Sequence, residues 1–396
     1  MRGIGSRAEG DPAVSARERR FPGRPILGLS IAALVQAGVL FLLGGASLPR
    51  AAAPDSSFFL LGAGQKPDVT KRSNTFRKEE RGDGFELAYG WNDFAGQGCR
   101  AEFSLAKRLI AESEAEFGYR QDELDLHLQA QSERLRQEMI RSLRNYVQNQ
   151  FDRSPYRPYM SIEDKDPMTF NLKFSVPETV RDVDLRDRAR DEFRVIVAAM
   201  SREQDRRTKR MEKDLEAQKA AFLESRGLRA IGDKIGVDYA LCVERNESRV
   251  RAACDAIRRA KQDPNLLDVL SLLLAFIQEI PYGNPPLSEG QKYILGFWLP
   301  PRVLAENFGD CDSKGVTFAS LWLSFRRFPV LIMKVPDHMF LAVAIPSIVP
   351  EGTITLNGQR YTLCEVTGPD KLPPGLITPY SRFYLESGQF QYEMVR

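Results

Sequence analysis

No residue between Pro25 and Pro49 carries a charge. As a helix rising about 1.5 Å per residue, that run is long enough to cross a hydrocarbon core about 30 Å thick. It is therefore read as a transmembrane signal anchor over residues 25–49. Arg2, Arg7, Arg17, Arg19, Arg20 and Arg24 precede it, whereas only Arg50 follows closely. The positive-inside bias then keeps residues 1–24 in the cytoplasm and sends everything after Arg50 out. The expectation is a single-pass protein of the inner (cytoplasmic) membrane whose C-terminal domain is extracytoplasmic or periplasmic. Ala51, Ala52 and Ala53 leave a cleaved signal peptide open, although the apolar run exceeds the usual signal core of about 7–15 residues. Either reading exports the domain.

The chain of 396 residues has room for about two domains, and its 43% hydrophobic content suits a globular core. Its 56 basic and 53 acidic residues nearly cancel, so charge gives no reason to expect nucleic acid as a partner. Five cysteines in an exported chain meet oxidising surroundings, and the odd count leaves at least one thiol unpaired unless two chains are bridged. Cys311 is the candidate for that thiol. Pairing among Cys99, Cys242, Cys254 and Cys364 stays open, since four cysteines allow three connectivities.

Residues 50–100 are expected to form a spacer, because AAAPDSS, GAGQKPD and RGDG between positions 51 and 84 show little apolar periodicity. Residues 101–235 are expected to be a helical region. Leu124, Leu128, Leu135, Met139 and Tyr146 recur at helical spacing from Ala101 to Asn149. A second stripe runs through Leu185, Ala189, Phe193, Ile196 and Met200, then Met211, Leu215 and Phe222, in a charged helix expected to break at Gln204 and Arg207 and to stop at Gly227. Between them Phe170, Leu172, Phe174 and Val176 alternate as a strand. The expected architecture is a helical hairpin with an inserted strand. Its stripes serve internal packing, with a helical partner or self-association through 101–227 as the alternative. Residues 236–396 are expected to form an α+β domain. In it, helices over Leu266–Ile280 and Asp310–Arg327 precede strands over Val330–Val335 and Met339–Ile345 and a hairpin turning at Asn357-Gly358.

Only His127 and His338 are available to a cysteine-histidine enzyme. His127 lies beside the apolar stripe of a charged helix and reads as a solvated surface residue. His338 follows Pro336-Asp337 at the start of a strand, where a polar ring can face a cleft. Cys311 lies in Asn307-Phe-Gly-Asp-Cys-Asp-Ser-Lys-Gly315, where a glycine turn feeds the first turn of an apolar helix. Free backbone N–H groups there favour a thiolate and can serve an oxyanion; taken alone, the same residue also fits a buried structural cysteine. In YTLCEVTGP, strand alternation puts Cys364 and Glu365 on opposite faces. A carboxylate there can fix the imidazole tautomer and stabilise its protonated form.

The blocks Phe276-Ile-Gln-Glu-Ile-Pro-Tyr282, Gly309 to Lys314, Asp337 to Val343 and Glu365 to Gly368, in this order, resemble the transglutaminase-like superfamily over roughly Leu266 to Pro369. They are similar to bacterial and archaeal members reading F-x-Q-x-x-P-Y, G-D-C-E-D/S-K, G-H-x-A-V and E-T-T-G. The resemblance implies a papain-like fold with Cys311 as nucleophile, His338 as base and Glu365 as orienting acid. Many members carry Asp or Asn at the acid position. Ser313 replaces the last acidic residue of the calcium-dependent GDCED pattern, so neither calcium nor another cofactor is expected, and Asp310 and Asp312 are read as helix caps. Some relatives place an indole by the nucleophile, which makes Trp298 a candidate oxyanion or cleft residue; a buried indole at a loop root is its other reading. Trp322, Met333 and Met339 are read as packing.

The expected activity is that of a cysteine peptidase or amidase, or an acyltransferase, acting on a protein or peptide substrate. Hydrolysis is preferred because no amine-binding feature is visible. The alternatives are a non-catalytic binding or scaffold module with a helical interaction region, and a coiled-coil spacer carrying a passenger domain.

Overall fold

A computed structural model describes residues 74–396 apart from positions 167, 347, 348, 350 and 369. The expected cytoplasmic flank, anchor and start of the spacer lie outside the described residues. Among the described residues no helix is long and apolar enough to cross a membrane.

Strands β1 (Thr75–Arg81), β2 (Gly84–Asn92) and β3 (Gly98–Ala106) form an antiparallel sheet. The spacer expectation is thus corrected over residues 75–100. Its physical basis is a period-two pattern, in which Leu87, Tyr89 and Trp91 are buried while the residues between them are half-buried. The helical expectation from Ala101 is likewise corrected over the rest of β3; helix begins with α1 (Lys107–Ala115) and is interrupted by the two-residue strand β4 (Tyr119–Arg120).

Helix α2 (Gln121–Arg153) runs out to a hairpin of β5 (Met160–Asp166) and β6 (Thr169–Phe174), and α3 (Val183–Ser225) returns beside it. The helix α3 is continuous, so Gln204 and Arg207 interrupt its apolar stripe and not its backbone. It ends just ahead of Gly227, where the stop was expected. The stripes are buried inward. Met139, Ile140, Leu143, Val147 and Phe151 of α2 pack with Phe193, Ile196 and Met200 of α3 and with Phe170 and Leu172 of the hairpin as a separate distal core. Leu124, Leu128 and Leu223 at the root belong to the main core. His127 corrects its solvated reading, since its ring lies half-buried 5.1 Å from that of Phe222.

After the short hairpin β7 (Leu228–Ile231) and β8 (Lys234–Val237) come α4 (Tyr239–Asn246), α5 (Arg251–Arg258) and α6 (Leu266–Glu279). A capping box between Asn265 and Asp268 starts α6, and nearly all of its residues are buried. The strand pair β9 (Ser288–Glu289) and β10 (Lys292–Tyr293) joins β4, and α7 (Pro300–Glu306) leads to α8 (Cys311–Phe325). Like α6, α8 is buried on most sides, and so runs through the core. Then follow β11 (Val330–Val335), β12 (His338–Val343), β13 (Thr353–Leu356), β14 (Gln359–Cys364), α9 (Pro379–Glu386) and β15 (Gln391–Val395).

The last five strands form an antiparallel sheet in the order β13-β14-β12-β11-β15. Its hairpin turns at Asn357 and Gly358 with φ of 50° and 77°, the left-handed pair that a two-residue turn needs. Alternation divides the sheet. Val330, Ile332, Met339, Leu341 and Cys364 join the main core with α6 and α8, whereas Leu331, Met333, Phe340, Ala342 and Leu363 face a second cluster that includes Tyr384 and Leu385 of α9. Segregated helices and antiparallel sheets make this an α+β fold.

Candidate active site

Contacts through the main chain tie the first two sequence blocks together. Tyr282 and Gly309 form a parallel bridge, Gly283 N donates to Gly309 O at 3.2 Å, and Lys314 Nζ donates to Ile280 O at 2.8 Å. The first block is thereby fastened to the turn that launches Cys311. Gly283 allows this approach because a Cβ there would fall 1.9 Å from Cε2 of Phe308.

Asp310 is the N-cap of α8, its Oδ1 accepting from Ser313 N at 2.9 Å. Asp312 is not a cap. Its Oδ1 accepts from Cys311 Sγ at 3.3 Å and its Oδ2 from the Tyr239 hydroxyl, so the capping expectation holds for the first aspartate and is corrected for the second. Burial, with Asp312 beside it, pushes the Asp310 carboxyl up to about 7. Cys311 is half-buried as a residue, yet its thiol is held well above the usual range. Burial is the largest cause, followed by the Asp312 and Asp310 charges; the Met339 amide facing the sulfur acts in the opposite sense. The expectation of a thiolate favoured by the helix N-terminus is therefore corrected. Two carboxylates and enclosure outweigh the terminal N–H groups, one of which Asp310 already occupies.

The chain matches no protein-family model, no curated protein and no solved structure.

His338 opens β12 directly after the Pro336-Asp337 turn, and its Nε2 lies 2.8 Å from Glu365 Oε1. The Glu365 side chain is fully buried, and its Oε2 accepts from Ser381 Oγ at 3.1 Å and from Thr378 N at 3.5 Å. The start of α9 thus supports the acid while Thr378 caps that helix. Cys364 points the other way into the main core, as strand alternation requires. By the same alternation His338 lies with Phe340 on the outer face, their rings 6.4 Å apart, while Met339 meets Cys311 from the inner face. Among the described residues no hydrogen bond joins Cys311 to His338, and His338 Nδ1 makes none. The structure pairs His338 with Glu365 and brings the Cys311 thiol to Met339, the residue next to His338.

Trp298 N donates to Ser313 Oγ at 2.9 Å, which fastens the indole's backbone to the first turn of α8. Its ring meets Phe308 edge-on at 5.0 Å with the Arg302 guanidinium 4.3 Å from its centroid, and its buried Nε1 has no partner among the described residues. Trp322 is core.

All five cysteines are free thiols, four of them buried, so Cys242 and Cys254 are not bridged. Among the described residues no cluster of three or more His, Cys, Asp or Glu side chains is placed to hold a metal ion. Sequence reasoning missed Tyr239, Thr378 and Ser381, which carry no motif. It quoted Gln278 without giving it a role, although Gln278 Nε2 donates to Glu365 O at 2.6 Å.

Proposed function

We propose that this chain is a transglutaminase-like cysteine hydrolase, a peptidase or amidase, with Cys311 as nucleophile, His338 as base and Glu365 as orienting acid. The observation that carries the reading is the 2.8 Å contact of His338 Nε2 with the fully buried Glu365 carboxylate. A carboxylate accepting the Nε2–H leaves the Nδ1 lone pair for the thiol proton. The helix carrying Cys311, followed by the antiparallel strand carrying His338 and by Glu365 just past the end of β14, supports a papain-like arrangement.

Burial and the neighbouring carboxylates oppose ionisation of the thiol, so deprotonation is coupled to attack. The Sγ proton passes to His338 Nδ1 as sulfur bonds to the substrate's carbonyl carbon. His338 then returns a proton to the departing amide nitrogen, the C–N bond breaks and a thioester remains. Water attacks the thioester, gives a proton to His338 and frees the carboxylic acid, and the thiol is restored. Trp298 Nε1–H, buried and without a partner, is the proposed donor to the oxyanion. No step calls for a cofactor or metal. The substrate is a protein or peptide amide, met on the extracytoplasmic side of a membrane if residues 25–49 anchor the chain.

A second reading, a non-catalytic scaffold module, draws on the thiol itself, which bonds to Asp312 and carries a raised pKa. Exposure of the full chain to an activated acyl ester, followed by mass spectrometry, separates the two. The enzyme reading expects an acyl adduct on Cys311 that His338→Ala abolishes. Failure to acylate Cys311 ahead of the buried cysteines favours the scaffold.

A further inference from the structure

Glu365 lies one residue beyond the end of β14, whose last ladder pair is Cys364 with Leu341. The peptide that aims the acid is therefore outside the sheet. It is held by α6 instead. Gln278 is 3% exposed. Its Nε2 donates to Glu365 O at 2.6 Å and to Leu372 O at 2.8 Å, and its Oε1 accepts from Leu372 N at 3.0 Å. The two bonds to Leu372 copy a rung of a sheet, and the third pins the Glu365 peptide. The next residue of the same helix, Glu279, takes Lys371 Nζ at 2.6 Å. One turn of α6 thus clasps the start and the end of the 365–372 excursion. Only a side chain with two donors and one acceptor at this length makes all three Gln278 bonds: an ionised glutamate has no donor, and methionine has no donor and only a weak sulfur acceptor.

We propose that Gln278 is a positioning residue, which sets the direction of the Glu365 carboxylate and through it the tautomer and orientation of His338. This inference rests on the thiol-hydrolase reading. A displacement of the Glu365 peptide by about 1 Å would pull the carboxylate out of hydrogen-bond reach of Nε2, and shifts of that size cost catalytic constellations up to about 10²-fold.

The test uses the full chain, iodoacetamide as the probe of Cys311, and the ring-nitrogen NMR shifts of His338, with His127 as the internal reference. In Gln278→Met and Gln278→Glu, Cys311 alkylation near neutral pH should slow about tenfold. The His338 shifts should also leave the single Nε2–H tautomer, while the unfolding midpoint confirms a folded chain. In the parent, the Leu372 N–H should exchange with solvent only as slowly as the buried core. Parent-like His338 shifts in both variants overturn the proposal, whatever the rate does. So does fast exchange of Leu372 in the parent, which requires no variant to fold. Glu365→Gln and His338→Ala separate the two levels of argument. If they slow alkylation and the Gln278 variants do not, the positioning role alone falls. If they too leave the rate unchanged, the hydrolase reading falls with it.

Discussion

The Cys311 thiol donates to Asp312 Oδ1 at 3.3 Å, while His338 is engaged by Glu365 on the other side of β12. The Cys311 thiol is thus hydrogen-bonded to a carboxylate that opposes its ionisation. Asp312→Asn keeps the side chain's size and removes its charge. The midpoint of the Cys311 alkylation profile should move to lower pH, with the neutral-pH rate rising several-fold. A profile that stays in place would show that burial and Asp310, without Asp312, hold the thiol up.

Asp310 makes stability depend on pH. Its carboxyl is raised from 3.8 to about 7, chiefly by burial, so between those values the folded chain keeps a proton that the unfolded chain releases. The sign follows directly. This contribution is complete below about pH 4, is lost as pH rises toward 7, and changes little above that. One proton corresponds to about 1.4 kcal/mol per pH unit across the window, giving a total of a few kcal/mol. Asp310→Asn can keep the cap through its own oxygen and cannot ionise. Denaturant unfolding of parent and variant at pH 5 and 8 should therefore show the variant gaining relative stability at the higher pH. Parallel behaviour of the two proteins would exclude a raised Asp310.

Glu365→Gln should remove most acylation of Cys311 by an activated ester while changing the unfolding free energy by less than about 1 kcal/mol, since the amide is isosteric and Ser381 and Thr378 remain. Cys364→Ala should do the reverse. It opens a small cavity in the main core, costing about 1–2 kcal/mol, and leaves acylation at the parental rate. Equal acylation losses in both variants would contradict the opposite facing of the two side chains.

Gly283→Ala should destabilise the chain by about 1–3 kcal/mol, because the new methyl group must displace the Phe308 ring. That ring packs on Trp298, so tryptophan fluorescence should shift in the folded variant. Parental urea unfolding and emission would show that the loop yields without strain.

The elements that sequence foresaw share a strong local signal. Helices α6 and α8 are long apolar runs with clear starts, and the β13–β14 hairpin carries Asn357-Gly358 at its turn. Sheet β1–β3 was missed because glycine and charge at its turns resemble a linker, although Leu87, Tyr89 and Trp91 alternate between them. At the site, residues with motif spacing were found and those acting from elsewhere were not. Ser381 is 16 residues beyond Glu365 and Gln278 is 87 before it, separations that leave no periodic trace. The thiol's environment was misjudged for a related reason. Helix-end polarity is visible in a sequence, whereas enclosure of two neighbouring carboxylates depends on the packing of Tyr239 and β12 around them.

The path of the chain through α2, its tip hairpin and α3 is a detour that returns to its point of departure. Gly118 N donates to Arg226 O at 3.1 Å, and Arg245 Nη1 reaches both Glu116 O and Ser225 O, so outgoing and incoming strands of the detour are tied together at the threshold. The α3 leg extends about 65 Å at 1.5 Å per residue. Because the distal core ends at Met139 and Met211 and the main one begins at Leu128 and Leu215, matched turns can be added to both legs between those pairs without opening either interior. Reach is thereby a quantity that insertions can raise on their own, like the length of a jib whose winch stays bolted in place.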